Sequence, residues 1–407
     1  MGSQGRIRGS SSPRHGERPL HPALARYRAG GVAMRSGPAN PPFVSINYGA
    51  SGIAYTIYRL ARSRGDLLTL ASAWVQKAFA LSSHAKAYYD PDLGIAPETV
   101  GQVSLFHSVC GLHCVDALVR FALGDAGGTA RAIEAFVERS RGPCDNPDLT
   151  VGAAGLLLGC AELVESVGSS AFLDLSLLRK RGDEIADALS EILRSEQIAT
   201  SARIRFLGIA HGWAGLVFAL LRWTRATRRS VQPLLAAKLD ELAELGIPHD
   251  GGMCWTTHNN SSSLTRGWCH GTPGYTMLFA LAHEMLCVPR YADLAERAAN
   301  SAWNIETPRG SLCCGNSGKG YAFLAVHRLT RAHVWLERAR VAARLASRDR
   351  SKFFFRDALY NGALGVALLS SELDRPATAA MPLRFCSLPT ISIIAPVIST
   401  SATQSSP

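Results

Sequence analysis

Gly208-Ile-Ala-His-Gly-Trp-Ala-Gly-Leu-Val-Phe-Ala-Leu-Leu-Arg222 places a Gly-x-x-Gly turn directly before a segment that is apolar around most of its circumference. A helix of that kind is buried on both sides. The arrangement recurs at Gly49-Ala-Ser-Gly52, Gly152-Ala-Ala-Gly155, Gly271-Thr-Pro-Gly274, Gly315-Asn-Ser-Gly318 and Gly362-Ala-Leu-Gly365, with a degenerate copy at Ser108-Val-Cys-Gly111. The turns begin at 49, 108, 152, 212, 271, 315 and 362, so the intervals are 59, 44, 60, 59, 44 and 47 residues. Each interval accommodates a pair of helices with their loops. The stretches between turns are amphipathic, as in Lys180-Arg-Gly-Asp-Glu-Ile-Ala-Asp-Ala-Leu-Ser-Glu-Ile-Leu193. The pattern predicts an all-α fold, an α/α toroid with seven inner helices entered through glycine turns inside a ring of outer helices. Glycine lets the backbone crowd together, and the inner-helix N-termini are expected to present free N–H groups to an anion or polar substrate.

The repeat spans one large domain, expected over 41–383. The formal charge of +11 is concentrated at the start of the chain, where residues 1–40 hold seven Arg against one Glu. That Gly/Ser/Pro/Arg-rich stretch reads as a solvated, disordered extension rather than a nucleic-acid arm, because only Tyr27 interrupts it with an aromatic ring. Residues 384–407 lack acidic side chains and helical period, and read as a low-complexity tail with some β character. No apolar run reaches the ~20 residues of a membrane span, and no secretory signal is present. A cytoplasmic protein is expected.

Ten cysteines in a chain of this size without an export signal favour metal binding or burial over disulfides. Cys160 and Cys287 lie in apolar stretches and read as core residues. Cys110-x-x-x-Cys114 has no matching second pair. Cys269, in Trp-Cys-His-Gly, and Cys313-Cys314, in Leu-Cys-Cys-Gly, are different, because each precedes a glycine turn. If all turns face one end of the cavity, these thiols meet there with His211, which precedes the fourth turn. Three thiolates with an open fourth position suit a catalytic zinc ion, since soft sulfur selects zinc over magnesium or calcium. Three buried thiols beside glycines are the alternative reading of the same pattern.

The seven turns, the Trp-Cys-His-Gly and Cys-Cys-Gly motifs and the closing Ala379-Ala-Met-Pro-Leu383 resemble the lanthionine synthetase C-like family, zinc-dependent cyclases that close thioether rings in lanthipeptides. The resemblance covers about residues 40–383. It implies Zn²⁺ held by Cys269, Cys313 and Cys314, with Cys314 where many members have histidine. Three thiolates leave the site at −1 before a substrate sulfur binds, which makes the bound thiolate more electron-rich and predicts fast, less discriminating cyclisation. His211 matches the family's acid/base histidine, and Asp148 an aspartate that orients His211 or an arginine; alone, Asp148 reads equally well as a cap. Arg266 lies three residues before Cys269, where the family arginine often lies four before. His270 assists the reaction or lines the cavity, and His107 at the second turn is a further candidate on position alone.

The implied reaction is addition of a peptide cysteine thiolate to dehydroalanine or dehydrobutyrine, with the enolate protonated by an acid such as His211. The implied partners are a dehydrated precursor peptide, leader plus core, and separate dehydratase enzymes, since neither a phosphate loop nor a kinase signature precedes the toroid. Two alternatives use the same fold: a glutathione-type thiol transferase acting on dehydroamino acids, and a non-catalytic scaffold for the precursor peptide. A carbohydrate-active toroid would need paired carboxylates, and the turns offer only Asp148.

Overall fold

The computed structural model describes residues 22–383 apart from 30, 63, 169 and 350–354. Residues 1–21 and the tail 384–407 therefore lie outside the described residues.

Seven helices follow the seven turns: Ala50–Ala61, Val109–Ala122, Ala153–Val167, Trp213–Ala226, Thr272–Leu286, Asn316–Thr330 and Ala363–Glu372. Each packs on the next, and the seventh packs on the first, which closes an inner ring. All twelve residues of the first are buried, as its all-round apolar sequence requires. Six outer helices alternate with them: Leu67–Leu81, Ala126–Arg139, Ser176–Ser195, Pro233–Glu244, Pro289–Asn304 and His333–Arg348. Ser176–Ser195 buries Leu178, Gly182, Ile185, Leu189, Ile192 and Leu193, one stripe at three- and four-residue steps. The α/α toroid is as the repeat predicts, with one small hairpin, Ile247–His249 paired with Gly252–Cys254, added between the fourth and fifth turns. No described helix is long and apolar enough to cross a membrane.

Residues 22–40, expected as part of a solvated extension, pack on the ring instead. Pro22–Tyr27 forms a 3₁₀ helix that buries Leu24 and Tyr27 and lies against the seventh inner helix. The Tyr27 hydroxyl donates to Asp357 at 2.5 Å, and Trp74 of the first outer helix donates to the Tyr27 carbonyl. Among the described residues no outer helix follows the seventh inner helix, and this N-terminal segment covers it. The arginine-rich average concealed a local apolar run, Pro22-Ala-Leu-Ala-Arg-Tyr27.

The other end of the domain runs into the middle of the ring. Ala379–Leu383 is fully buried. Its carbonyls accept from Arg59 on the first inner helix (Ala380) and Arg222 on the fourth (Leu383). Arg59 also reaches Glu372 on the seventh inner helix, and Arg222 reaches Glu165 on the third. Buried charges are tolerated only when paired and hydrogen-bonded in this way.

Candidate metal centre

Backbone hydrogen bonds stitch the turns into a belt at one end of the ring. Asn47 N–H donates to Phe106 O, Thr150 to Ala210, Ala210 to Cys269, Trp268 to Cys313, Cys313 to Tyr360 and Leu359 to Asn47. The links from the third turn through to the seventh are direct, so His211, Cys269 and Cys314 come together despite their sequence separations. Two glycines permit the approach. A Cβ on Gly208 would stand 2.5 Å from the Cys269 carbonyl oxygen, and one on Gly267 would stand 2.6 Å from that of Cys313.

The turn geometry corrects one expectation. At five of the seven turns the first helical N–H group donates to a carbonyl seven residues back: Ala50 to Phe43, Ala153 to Asn146, Trp213 to Phe206, Asn316 to Arg309 and Ala363 to Arg356. The following residue repeats the bond at Ser51, Ala154, Ala214 and Ser317. These five helix N-termini thus cap themselves, and chemistry beside them rests on side chains.

Three of those side chains are thiols. Cys314 Sγ lies 3.4 Å from Cys313 Sγ and 3.9 Å from Cys269 Sγ, and the three sulfurs all lie within 4.8 Å of one another. Sulfurs around a tetrahedral zinc with Zn–S of about 2.3 Å stand about 3.8 Å apart. The donor set therefore fits zinc in both chemistry and spacing. Hydrogen bonding with Cys269 and Cys313, aided by the charge of Arg309, holds Cys314 down to about 3. Hydrogen bonding with Cys269 and Cys314, together with burial, pushes Cys313 far above the ordinary thiol range. A divalent cation is what would let all three ionise.

Beside the thiols stands an acid–imidazole pair. Asp148 Oδ2 lies 3.0 Å from His211 Nδ1, while Oδ1 accepts from the backbone N–H groups of Thr150 at 2.6 Å and Val151 at 2.9 Å. One oxygen of Asp148 thus binds its own turn and the other faces His211, while the helix cap that the sequence allowed is not formed, since Gly152 is the N-cap of Ala153–Val167. Thr150, which the sequence did not single out, lies 3.0 Å from His211 Nδ1 through its hydroxyl and bonds Asp148 Oδ1. With Nδ1 so engaged, Nε2 is the nitrogen left to exchange protons. His211 keeps an exposed side chain (38%) while Asp148 is sheltered (10%).

His270 joins this group, its ring 5.4 Å from that of His211, and burial, reinforced by the nearby His211, lowers it to about 4, so it stays neutral. Phe206 packs on its other side at 5.0 Å. Arg266 is exposed, and its charge is felt at the buried Lys319, whose pKa falls to about 8 chiefly through burial. Tyr48, another residue sequence reasoning passed over, closes the wall from the first turn; burial, with the Cys313 charge second, raises its hydroxyl to about 12. It immediately precedes Gly49, as His211, His270 and Cys314 precede theirs, and aligning the turns would have found it.

The remaining cysteines divide. Cys110, Cys114 and Cys160 are buried core thiols on the second and third inner helices. Cys287, expected in the core, is exposed, because it ends its helix in the left-handed conformation at φ 55° rather than continuing the buried face.

The model of the lanthionine synthetase C-like protein family matches residues 43–383. The chain belongs to the lanthionine synthetase C-like family. Among curated proteins, LanC-like protein GCL1 of Arabidopsis thaliana is 25% identical over 380 residues, 86% of this chain and 83% of that one. Glutathione S-transferase LANCL1 of Danio rerio is 26% identical over 195 residues, 44% and 45% of the respective chains. Among solved structures, nisin cyclase superposes with a TM-score of 0.63 at 14% identity, covering 86% of this chain and 92% of that one, a likeness of fold.

Proposed function

We propose that this LanC-like chain is a zinc-dependent cyclase that adds peptide cysteine thiolates to dehydroalanine or dehydrobutyrine in a ribosomally made precursor, forming lanthionine or methyllanthionine. The observation that carries the reading is the meeting of three thiols at zinc-compatible spacing with the Asp148–His211 pair. Cys269, Cys313 and Cys314 would hold Zn²⁺, which when bound supplies the Lewis acidity that keeps a substrate thiol ionised near neutral pH.

The chain's own residues supply the rest. Asp148 and Thr150 fix the His211 ring through Nδ1, so Nε2 takes the proton released by the thiol. As sulfur bonds to the β-carbon, the alkene π pair moves into an enolate, and His211 returns that proton to the α-carbon. The sum is a thiol and an alkene converted to a thioether, with no redox change and no nucleotide. His270, neutral and half-enclosed, completes the wall against water. The proposal includes a dehydrated precursor as substrate, made by separate dehydratase enzymes, and a cytoplasmic setting.

A second reading, a transferase that adds glutathione to dehydroamino acids, has one observation in its favour, the likeness to the Danio rerio protein named as a glutathione S-transferase. A single experiment separates the two. The zinc-loaded protein is incubated with a peptide carrying one dehydroalanine and one cysteine, with and without glutathione, and alkylatable thiol and mass are followed. Cyclisation removes the thiol without changing mass, whereas transfer adds the mass of glutathione. The His211→Asn variant should retain zinc and lose about 100- to 10,000-fold in rate. Persistence of the thiol with no adduct would overturn both readings.

A further inference from the structure

The addition generates negative charge on the carbonyl oxygen of the acceptor residue, and nothing in the preceding scheme meets it. We propose that His107 is a catalytic residue of the cyclisation, an uncharged hydrogen-bond donor that polarises the carbonyl of the dehydroamino acid and stabilises the enolate oxygen. The inference rests on the cyclase reading.

His107 stands at the second turn, on the belt between Tyr48 of the first and Asp148 of the third. Its ring lies 5.5 Å from that of Tyr48, whose hydroxyl feels the charge of Cys313, and it is within electrostatic reach of both Asp148 and His211. It therefore stands on the same belt of turns as the thiols and the Asp148–His211 pair. The side chain is 4% exposed, yet Nδ1 has no hydrogen-bond partner. A sealed, unpartnered ring nitrogen is costly in a native protein and calls for an explanation. Asn47, on the neighbouring turn stitched to this one by the Asn47-to-Phe106 backbone bond, leaves its side-chain oxygen unpartnered as well. Unpartnered polar groups on two adjoining turns are complementary to a substrate amide, a donor for its carbonyl at His107 and an acceptor for its N–H at Asn47.

The protonation state suits the role. Burial, with His211 next in weight, lowers His107 to about 3, so it is a neutral imidazole wherever the protein is folded and active. A neutral imidazole polarises a carbonyl without surrendering its proton, which leaves proton delivery to His211. In the step itself the thiolate sulfur bonds to the β-carbon, the π pair moves onto the carbonyl oxygen, His107 keeps its N–H, and the carbonyl reforms as the α-carbon takes the proton from His211.

The test compares the zinc-loaded parent with His107→Ala and His107→Gln on two peptides. One carries an internal dehydroalanine amide. The other ends in dehydroalanine methyl ester, whose carbonyl stabilises an enolate better unaided. On the amide peptide kcat should fall about 100- to 1,000-fold in the alanine variant, with KM and zinc content close to the parent's. The glutamine variant, which retains an N–H donor, should recover part of the loss, and the defect should shrink on the ester. Equal loss on both acceptors, or loss of zinc together with rate, marks a structural role and overturns the inference. Undiminished turnover in both variants overturns it while leaving the cyclase reading intact. Absence of turnover by the parent overturns both.

Discussion

Asp148 illustrates how much a single side chain settles here. One oxygen is spent on Thr150 and Val151, fixing the turn, and the other holds His211, so the proposed general acid inherits its orientation from a residue that also fixes its own turn. His107 carries a stability signature that follows from its burial. Its folded pKa of about 3 lies below the value of about 6.5 expected when unfolded, so the unfolded chain binds the proton more readily. Its contribution is complete above about pH 6.5 and is lost as pH falls toward about 3, at about 1.4 kcal/mol per pH unit. Between about pH 7 and about pH 5 this amounts to about 2 kcal/mol. Urea midpoints of the parent should therefore fall more steeply over that interval than those of His107→Gln; parallel behaviour would refute the assignment. At this scale the sequence revealed what stands beside a glycine turn, namely the three cysteines, His211, His270 and Asp148. It did not reveal Thr150 or Tyr48, whose roles come from contacts across the belt between residues far apart in the chain. Cys287 misled because an apolar neighbourhood does not tell which residue ends the helix.

The glycine turns act as elements of assembly. Their first glycines have extended backbones, with φ of −152° at Gly152 and −156° at Gly212, so no left-handed conformation demands glycine there. The demand is steric. A Cβ on Gly152 would lie 2.0 Å from the Asn146 carbonyl oxygen, the very group that accepts from Ala153. Gly152→Ala should destabilise the protein by about 1 to 3 kcal/mol through overpacking, whereas Gly65→Ala, with nothing within 4 Å of the new methyl, should stay within about 0.5 kcal/mol. Denaturant midpoints decide this, and equal effects at the two positions would contradict the steric account. The second turn manages with Ser108, whose hydroxyl accepts from Cys110 N–H and donates to Ser104 O, which explains why a degenerate copy keeps its place. The glycine pattern was legible because its spacing repeats. The looped-back capping was not, since a carbonyl seven residues upstream leaves no mark on composition.

As a whole the molecule is a ring whose seventh inner helix is met by both ends of the described residues. Pro22–Tyr27 covers that helix from outside, and Ala379–Leu383 lies within the ring, held by Arg59 and Arg222. Arg59 ties the first inner helix to Glu372 of the seventh and to the Ala380 carbonyl, with no exposure of its own side chain. Arg59→Ala would leave Glu372 without its cationic partner, with only Tyr321 and the Ala380 N–H donating to it, and should cost about 3 to 5 kcal/mol, read as a lowered urea midpoint; a change below about 1 kcal/mol would mean that the ring is closed by packing alone. The number of inner helices and their order could be read from the turns, but the placement of residues 22–40 could not, because an arginine-rich average hid Leu24 and Tyr27. The thiol cluster depends on this closure, since the belt that aligns Cys313 runs through Tyr360 of the seventh turn and on to Asn47 of the first. The central claim is that thiols from the fifth and sixth turns hold one ion, and elemental analysis of the purified protein beside Cys314→Ala addresses it most directly. About one zinc per chain in the parent and a large loss in the variant is the predicted result. A folded parent without zinc, or a variant that retains it fully, would contradict the account.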